Sequence, residues 1–286
     1  MNKLNCTERA GVVAALVEGN SIRATVRMTG IAKNTVVKLL ADLGAACRDY
    51  HDAYVRNLKS KRLQCDEIWS FCYAKEKNLP SELRGKPGFG DVWTWIALDA
   101  DSKLVVAYSL GERDGGSAWD FMQDVAGRLS SRVQLTTDGH RPYLEAVEGA
   151  FGAGIDYAQL VKLYGAAPEG EVRYSPAECT GTRRRVVSGN PNRMHISTSF
   201  VERQNLTMRM SMRRFTRLTN AFSKKAENLA HAVALHFMHY NFCRVHQTLR
   251  VTPAIEAGIA DHVWTLDELV GLLETREAAE RKSASN

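Results

Sequence analysis

The chain has 286 residues, 44% of them apolar and 24% charged, which is typical of a globular protein with one large and one smaller domain. No stretch approaches the roughly 18 apolar residues of a membrane helix, and the first residues lack the apolar core of a signal peptide, so we expect neither a membrane segment nor export. The six cysteines are scattered without a Cys-x-x-Cys pair. This spacing argues against a zinc ribbon or disulfide framework and favours a reducing cytoplasm.

Positive charge is concentrated in one segment. The net charge is +6, yet residues 181–225 alone contain eleven lysines and arginines and a single acid, Glu202. The rest of the chain is therefore net negative. A solvated basic helix is the plain alternative, but a basic stripe built around one carboxylate favours contact with a polyanionic backbone, as in nucleic acids.

The first 58 residues are predicted to form three helices, over 7–17, over 22–28 and from residue 33 onward. A short helix, a turn containing Gly30 and a longer helix are typical of a helix-turn-helix domain. A plain three-helix packing unit is the alternative. In the helix-turn-helix interpretation four polar side chains face the major groove of DNA: Lys33, Asn34, Thr35 and Lys38.

The pattern of residues 59–260 predicts an α/β domain. Runs rich in β-branched and aromatic residues predict five strands, at 63–73, 92–98, 104–110, 133–137 and 157–163. Helical patterns follow the third and fourth strands, at 115–129 and 143–150. The order β-β-β-α-β-α-β followed by a helix is that of the ribonuclease-H-like fold, a mixed sheet flanked by helices.

The last third of the chain is predicted to be mostly helical. Residues 165–198 lack periodicity and contain Gly, Pro and three consecutive arginines, so we predict a mobile basic loop there. Residues 199–249 look almost entirely helical. Thr265 and Glu268 form a capping box for one further helix. We expect residues 261–286 to be a helical C-terminal extension with a frayed tail.

Three acids occupy positions where a metal site would need them. Asp66 lies inside the first strand, Asp138 ends the fourth strand, and Glu202 lies in the first turn of a helix. Each has a structural alternative: Asp66 points outward and Glu67 inward, Asp138 simply forms a turn with Gly139, or Glu202 caps its own helix from Ser199. Together, the three carboxylates predict a site for a pair of Mg²⁺ ions and in-line phosphoryl displacement.

Basic residues follow Glu202 along its helix. Leu206, Arg209 and Arg213 recur at helical spacing and are expected on the same face as Glu202. A cation two turns from a metal ligand can hold a substrate phosphate against the site. We therefore predict that Arg203, Arg209 and Arg213 contact DNA.

Several segments resemble the DDE transposases, most closely the insertion-sequence-1 group. The stretch Thr198–Arg209 resembles the block around that group's catalytic Glu, Thr137–Gly139 the block around its second Asp, and Cys65–Trp69 the block around its first. The segment 239–254 resembles the helix and turn that close such domains. The cysteine zinc motif that some members carry at the N-terminus is absent, so recognition of DNA ends is expected to rest on the helix-turn-helix.

The resemblance implies a function. The enzyme would cut a phosphodiester at each end of an insertion sequence and join the freed 3′ ends to target DNA, using Mg²⁺, for which Mn²⁺ can substitute. Asp66, Asp138 and Glu202 would be both catalytic and metal-binding. Partners would be double-stranded DNA and a second copy of the chain, in the cytoplasm on the nucleoid. The alternatives are a ribonuclease-H-like nuclease or resolvase, and a catalytically dead DNA-binding derivative.

Overall fold

A computed structural model describes residues 4–165, 178–216 and 220–284. The chain begins with three helices: α1 (Cys6–Val17), α2 (Ile22–Thr29) and α3 (Lys33–Tyr54). Helix α1 starts one residue before the predicted Thr7, because Asn5 and Glu8 form a capping box there. Helix α2 ends at Gly30, which adopts the left-handed backbone (φ 72°) that glycine tolerates best. These bounds agree with the predicted helices.

Six strands form one sheet: β1 (Arg62–Cys72), β2 (Gly90–Asp99), β3 (Val105–Gly111), β4 (Val133–Thr137), β5 (Ile155–Tyr164) and β6 (Cys179–Ser188). Their order across the sheet is β3-β2-β1-β4-β5-β6. Strands β1 to β3 are antiparallel neighbours, β4 and β5 continue parallel to β1, and β6 returns antiparallel to β5. This mixed sheet has the ribonuclease-H-like topology predicted from the sequence.

Helices cover both faces of the sheet. Two follow β3 and β4 and pack on one face: α4 (Gly115–Gly127) and α5 (Pro142–Phe151). The buried Trp95 of β2 contacts Phe121 and Tyr143 from these helices. The opposite face carries α6 (Ser199–Ser211) and α7 (Ala226–Met238), and α3 also packs on this side. One continuous hydrophobic core joins the sheet, these layers and the N-terminal helices. The division at residue 58 stays a prediction.

The C-terminal part is helical but interrupted. A 3₁₀ turn (Arg213–Phe215) follows α6, a π-helical turn (His239–Cys243) continues α7, and two helices end the described chain: α8 (Pro253–Glu256) and α9 (Leu266–Ala284). Residues 220–225 and 244–249 are not helical, so the prediction of near-continuous helix over 199–249 was wrong for these two segments. The predicted capping box is confirmed, since the Thr265 N–H donates to Glu268 (2.7 Å) and the Glu268 N–H to Thr265 (3.2 Å).

The prediction of a loop over 165–198 was wrong for strand β6. This strand pairs with β5 along nearly its whole length, and Arg183, Arg184 and Arg185 lie opposite Val161, Leu160 and Gln159. Its side chains are almost all exposed because β6 is the last strand of the sheet and little covers it. Residues 166–177 of the predicted loop lie outside the described residues, and residues 189–198 form no strand or α-helix, only a 3₁₀ turn (Arg193–His195). Within the described chain no helix is long and apolar enough to cross a lipid bilayer.

Candidate active site

Asp66 and Asp138 lie close together in the middle of the sheet, at the point where β4 ends beside β1. The parallel ladder between β1 and β4 runs from Arg62 to Cys65 on β1 and stops at the pair Cys65–Thr137. Asp66 therefore follows the last residue of β1 in this ladder, and Asp138 follows the last residue of β4. Carboxyl ends of parallel strands gather functional side chains because no further ladder covers them. The two positions that the sequence singled out are thus brought together by strand register.

Glu67 joins these two carboxylates. One oxygen from each of Asp66, Glu67 and Asp138 lies within 4.8 Å of the others, and the Glu67 side chain is buried. Asp66 faces the α6 side of the sheet and Glu67 the α5 side, as strand alternation requires. Both can approach Asp138 because β4 stops beside them. The sequence analysis weighed Glu67 only as an alternative to Asp66, whereas the structure brings both to the site.

Glu202 comes from α6, which is anchored on β1. The side-chain oxygen of Gln64 accepts the backbone N–H groups of Phe200 (2.8 Å) and Val201 (3.1 Å), so a strand residue satisfies the helix N-terminus. Asn205, one turn further, donates to Asp66 (2.8 Å). The alternative interpretation, in which Glu202 forms a capping box with Ser199, is wrong because the N-cap is Thr198 and makes no side-chain cap bond. The Glu202 carboxylate therefore caps no backbone N–H of its helix, although it accepts a hydrogen bond from the hydroxyl of the N-cap residue Thr198.

A lysine from β5 pairs with Glu202. Lys162 Nζ lies 2.7 Å from Glu202 Oε2, and the Thr198 hydroxyl donates to the other carboxylate oxygen. On the opposite side Arg113 bridges two acids, with Nε 3.2 Å from Glu67 and Nη2 3.5 Å from Asp138. Neither cation could be predicted from sequence, since each lies far along the chain from its partner. They balance part of the negative charge of the site.

Burial, together with neighbouring carboxylates, raises the pKa of Asp66 and of Glu67. Burial, with the charge of Asp138 second, raises the pKa of Asp66 to about 7, and Glu202 adds to the shift. Burial and then Asp138 likewise raise the pKa of Glu67 to about 7. These shifts are the cost of holding like charges together in a partly dry site. A divalent cation would relieve that repulsion.

The acids line an open cavity of about 680 Å³. Asp66, Asp138 and Glu202 all contribute to its wall, and the cations there are Arg113, Arg141 and Lys162. The donor set fits Mg²⁺, which prefers carboxylate oxygens and keeps several waters in an open site. In the described part of the chain, the set Asp66, Glu67 and Asp138 is the group of potential metal ligands that the geometry identifies. Glu202 lies on the same cavity but outside that tightest set.

The predicted DNA-contacting residues occupy two surfaces. Lys33, Asn34, Thr35 and Lys38 are exposed at the start of α3, where Lys38 also pairs with Asp42. Arg203 is exposed on α6 and Arg209 is half-buried there.

Arg213 does not share the helical face of Glu202, so that part of the prediction was wrong. Helix α6 ends at Ser211, Met212 takes an extended backbone (φ −125°, ψ 108°), and Met212 and Phe215 insert into the core. Burial of these two side chains accounts for the end of the helix. Arg213 remains exposed on the following turn, and Arg217, also within the basic stripe, lies outside the described residues.

Comparisons with known proteins give structural likeness only. No family model and no curated protein matches the chain. A crystal structure of the Mos1 strand transfer complex has a TM-score of 0.25 and 14% identity over 55% of this chain and 59% of the other. A piggyBac transposase synaptic complex with hairpin DNA has a TM-score of 0.40 and 11% identity over 100% and 77%. The Mos1 transposase paired-end complex with left transposon end has a TM-score of 0.22 and 13% identity over 52% and 58%. The chain thus spans under two thirds of the Mos1 chains it resembles.

Proposed function

We propose that this protein is a DDE-type DNA transposase, of the insertion-sequence-1 group that its sequence resembles. It would cut the ends of an insertion sequence and join the 3′ ends to target DNA. The observation that carries the proposal is the convergence of Asp66, Asp138 and Glu202 on one open cavity with cations on its rim. Acids alone suit metal binding, but acids ringed by cations suit a metal-dependent reaction on a phosphodiester.

Each residue has a role in this chemistry. Mg²⁺ held by Asp66, Asp138 and Glu202, for which Mn²⁺ can substitute, would supply positive charge to the attacking and leaving oxygens. Asn205 keeps the Asp66 carboxylate oriented through its 2.8 Å hydrogen bond. Lys162, now paired with Glu202, is within reach of a phosphate in the same cavity. No covalent link between protein and DNA is required.

Recognition of the element ends is assigned to the helix-turn-helix formed by α2 and α3. The side chains of Lys33, Asn34 and Thr35 are exposed at the start of α3 and free to enter a major groove. We expect Asn34→Ala with Thr35→Ala to reduce preference for the element ends more than affinity for DNA in general. Competition binding between end and unrelated duplexes measures this, and an unchanged preference would refute the assignment.

Two ends must be held together for joining, so the active form is proposed to be a dimer or larger assembly on DNA, in the cytoplasm on the nucleoid. The deciding experiment uses purified protein, Mg²⁺ and labelled duplexes carrying the DNA that flanks its own gene. Nicking at the boundary and strand joining are expected, and both should be lost in Asp138→Asn while binding is retained. The control is Asp120→Asn, an exposed carboxylate away from the cavity.

Each of the other outcomes would indicate a different function or a different site. Nicking without joining, even when pre-cut ends are supplied, would indicate a ribonuclease-H-like nuclease or resolvase. Binding without either reaction would indicate a DNA-binding derivative with an inactive site. Cutting by Asp138→Asn near the wild-type rate would show that the reaction occurs elsewhere.

A further inference from the structure

A second cleft lies on the far side of α6 from Glu202. It has a volume of about 420 Å³ and lies between α6, the turn after β2 and the segment after the π-helical turn. Phe200, Arg203 and Gln204 reach it from α6. At 100° per residue these side chains point away from Glu202 around the helix axis. The cleft is therefore separate from the acidic cavity, with one helix between them.

The wall of the cleft is cationic. Lys103, Arg203 and Arg244 contribute to it, and none of the described residues that line it is acidic. The pKa of His246, which also lines the cleft, is lowered by burial and then by the charges of Lys103 and Arg244. Three cations and a neutral imidazole thus share one concavity. Such a surface favours an anionic ligand.

The cleft also offers an aromatic ring. Phe200 is 39% exposed although it lies on a helix that packs against the sheet. The Lys103 ammonium lies over one face of the ring, 3.8 Å from its centre, which leaves the other face for a base; it donates to the backbone carbonyls of Ala100 and Asp101 and to no carboxylate. An exposed ring beside cations is the combination that binds a nucleobase and its phosphate together.

Two polar atoms of the cleft have no partner. Gln204 is 3% exposed, and its Nε2 makes no hydrogen bond within the described protein; the same is true of Nδ1 of His246. Buried polar groups are normally paired, because leaving one unpaired costs free energy. Both residues line the cleft, although the two unpaired atoms themselves lie beneath its surface.

We propose that this cleft binds one unpaired nucleotide of a DNA strand, with the base against Phe200 and its phosphate among Arg203, Arg244 and Lys103. The inference rests on the proposed function, which supplies DNA as the substrate. A base can enter only when it is not paired, because a duplex buries both faces of each base in its stack. The volume lies within the roughly 300–1,000 Å³ of natural small-ligand sites.

The cleft lies close enough to the acidic cavity for one DNA strand to reach both. Helix α6 contributes Glu202 to one cavity and Phe200 to the other, two residues apart in sequence. A strand that has its reacting phosphate among the acids would cross the N-terminal half of α6 before reaching the cleft. Holding one base there would separate the DNA strands next to the bond that is cut.

The test measures binding without catalysis. Fluorescence anisotropy in EDTA would follow a labelled thymidine oligonucleotide about 12 nucleotides long and a blunt duplex of the same length. We expect Phe200→Leu, which keeps apolar bulk without the ring face, to weaken single-strand binding by about five-fold or more, and Phe200→Trp to restore it. Arg244→Gln should lower the slope of log affinity against log salt by about 0.7, one phosphate contact.

The control is Lys77→Gln, an exposed cation in a loop outside both cavities, which should change neither quantity. Thermal unfolding of each variant shows that it is folded. Wild-type protein that does not bind the oligonucleotide, Phe200→Leu that binds it like wild type, or an unchanged salt slope in Arg244→Gln would each overturn the proposal. Boundary nicking with no dependence on Phe200 would leave the proposed function standing and the cleft rejected. Oligonucleotide binding that depends on Phe200, without any nicking, would support the cleft and reject the proposed function.

Discussion

The substitution Asp66→Asn should stabilise the protein when no metal is present. Asn has the shape of Asp and keeps a side-chain oxygen that can accept the hydrogen bond from Asn205. What it removes is a negative charge beside Asp138 and Glu202. Burial first, and then the charges of these two acids, raise the pKa of the Asp66 carboxyl from 3.8 to about 7. Neutral pH forces that charge into the folded protein, so the folded state is penalised.

The magnitude follows from the shift. About three pKa units at about 1.4 kcal/mol each give an upper value of about 4 kcal/mol, and partial solvation reduces it, so we expect about 2–4 kcal/mol near pH 7.5. The unfolded carboxyl loses its proton near pH 3.8 and the folded one only near pH 7. Wild-type stability therefore falls as pH rises between these values. In Asp66→Asn this slope should be smaller, with the part due to Glu67 remaining.

Thermal and urea unfolding in EDTA measure this effect from about pH 4 to about pH 8. The expected increase in Tm is roughly 4–8 °C near neutral pH, shrinking toward zero at the acid end. In saturating Mg²⁺ the order should reverse, because wild type gains stability from the metal and the variant does not. Asp120→Asn, whose carboxylate is exposed, is the matched control. Equal or lower stability of Asp66→Asn in EDTA, with an unchanged pH slope, would refute the argument.

Two further changes test packing and charge. In Gly44→Ala the new Cβ would lie 2.4 Å from the His231 carbonyl oxygen, so we expect a loss of about 1–3 kcal/mol by urea unfolding. Gly11→Ala, which meets nothing within 4 Å in helix α1, should instead be neutral or stabilising by up to about 1 kcal/mol; equal losses would mean that the close approach is not the cause. Lys162→Met frees the Glu202 carboxylate from its ammonium partner, and calorimetry should show Mg²⁺ binding about two- to ten-fold tighter. Weaker binding would show that Lys162 supports the metal site and does not compete with it.

Alternation and turn signals were enough to predict most of the sheet. Strand β4 was predicted over its observed range, Val133–Thr137, because a β-rich run is followed at once by Asp138 and Gly139. Strand β1 differs by one residue at each end. These elements are buried on at least one face, so their apolar residues recur with the period of the structure. The approach of Asp66 to Asp138 follows from that order of strands.

Strand β6 could not be predicted because nothing in its composition reflects burial. It is an edge strand with both faces exposed, so its sequence has no alternation, and three consecutive arginines suggested a loop. Trp119 of α4 shows that an apolar residue does not by itself indicate burial, since it is 46% exposed and lies against Gly149 of α5.

The N-terminus of α6 depends on a long-range contact that sequence spacing hides. Ser199 and Glu202 match a local capping box, yet Gln64, more than 130 residues earlier, accepts the two N–H groups. Glu67 and Arg113 were missed for a related reason, since their pairing depends on where β4 stops. The positions of Asp66, Asp138 and Glu202 on their strands and helix could be predicted, whereas Glu67 and the residues that orient and neutralise these acids could not.

Helix α3 fixes the distance between its exposed first residues and the core of the protein. Its 22 residues span about 33 Å, from the exposed Lys33 at one end to the part that packs against α7 and α9 in the common core. A flexible tether would let the two ends of this helix sample many separations. A continuous helix holds its two ends at a single separation. Under the proposed function, base pairs that bind the start of α3 would lie at a constant distance from the acids, and one added base pair between them and the scissile bond would move that bond away from the acids.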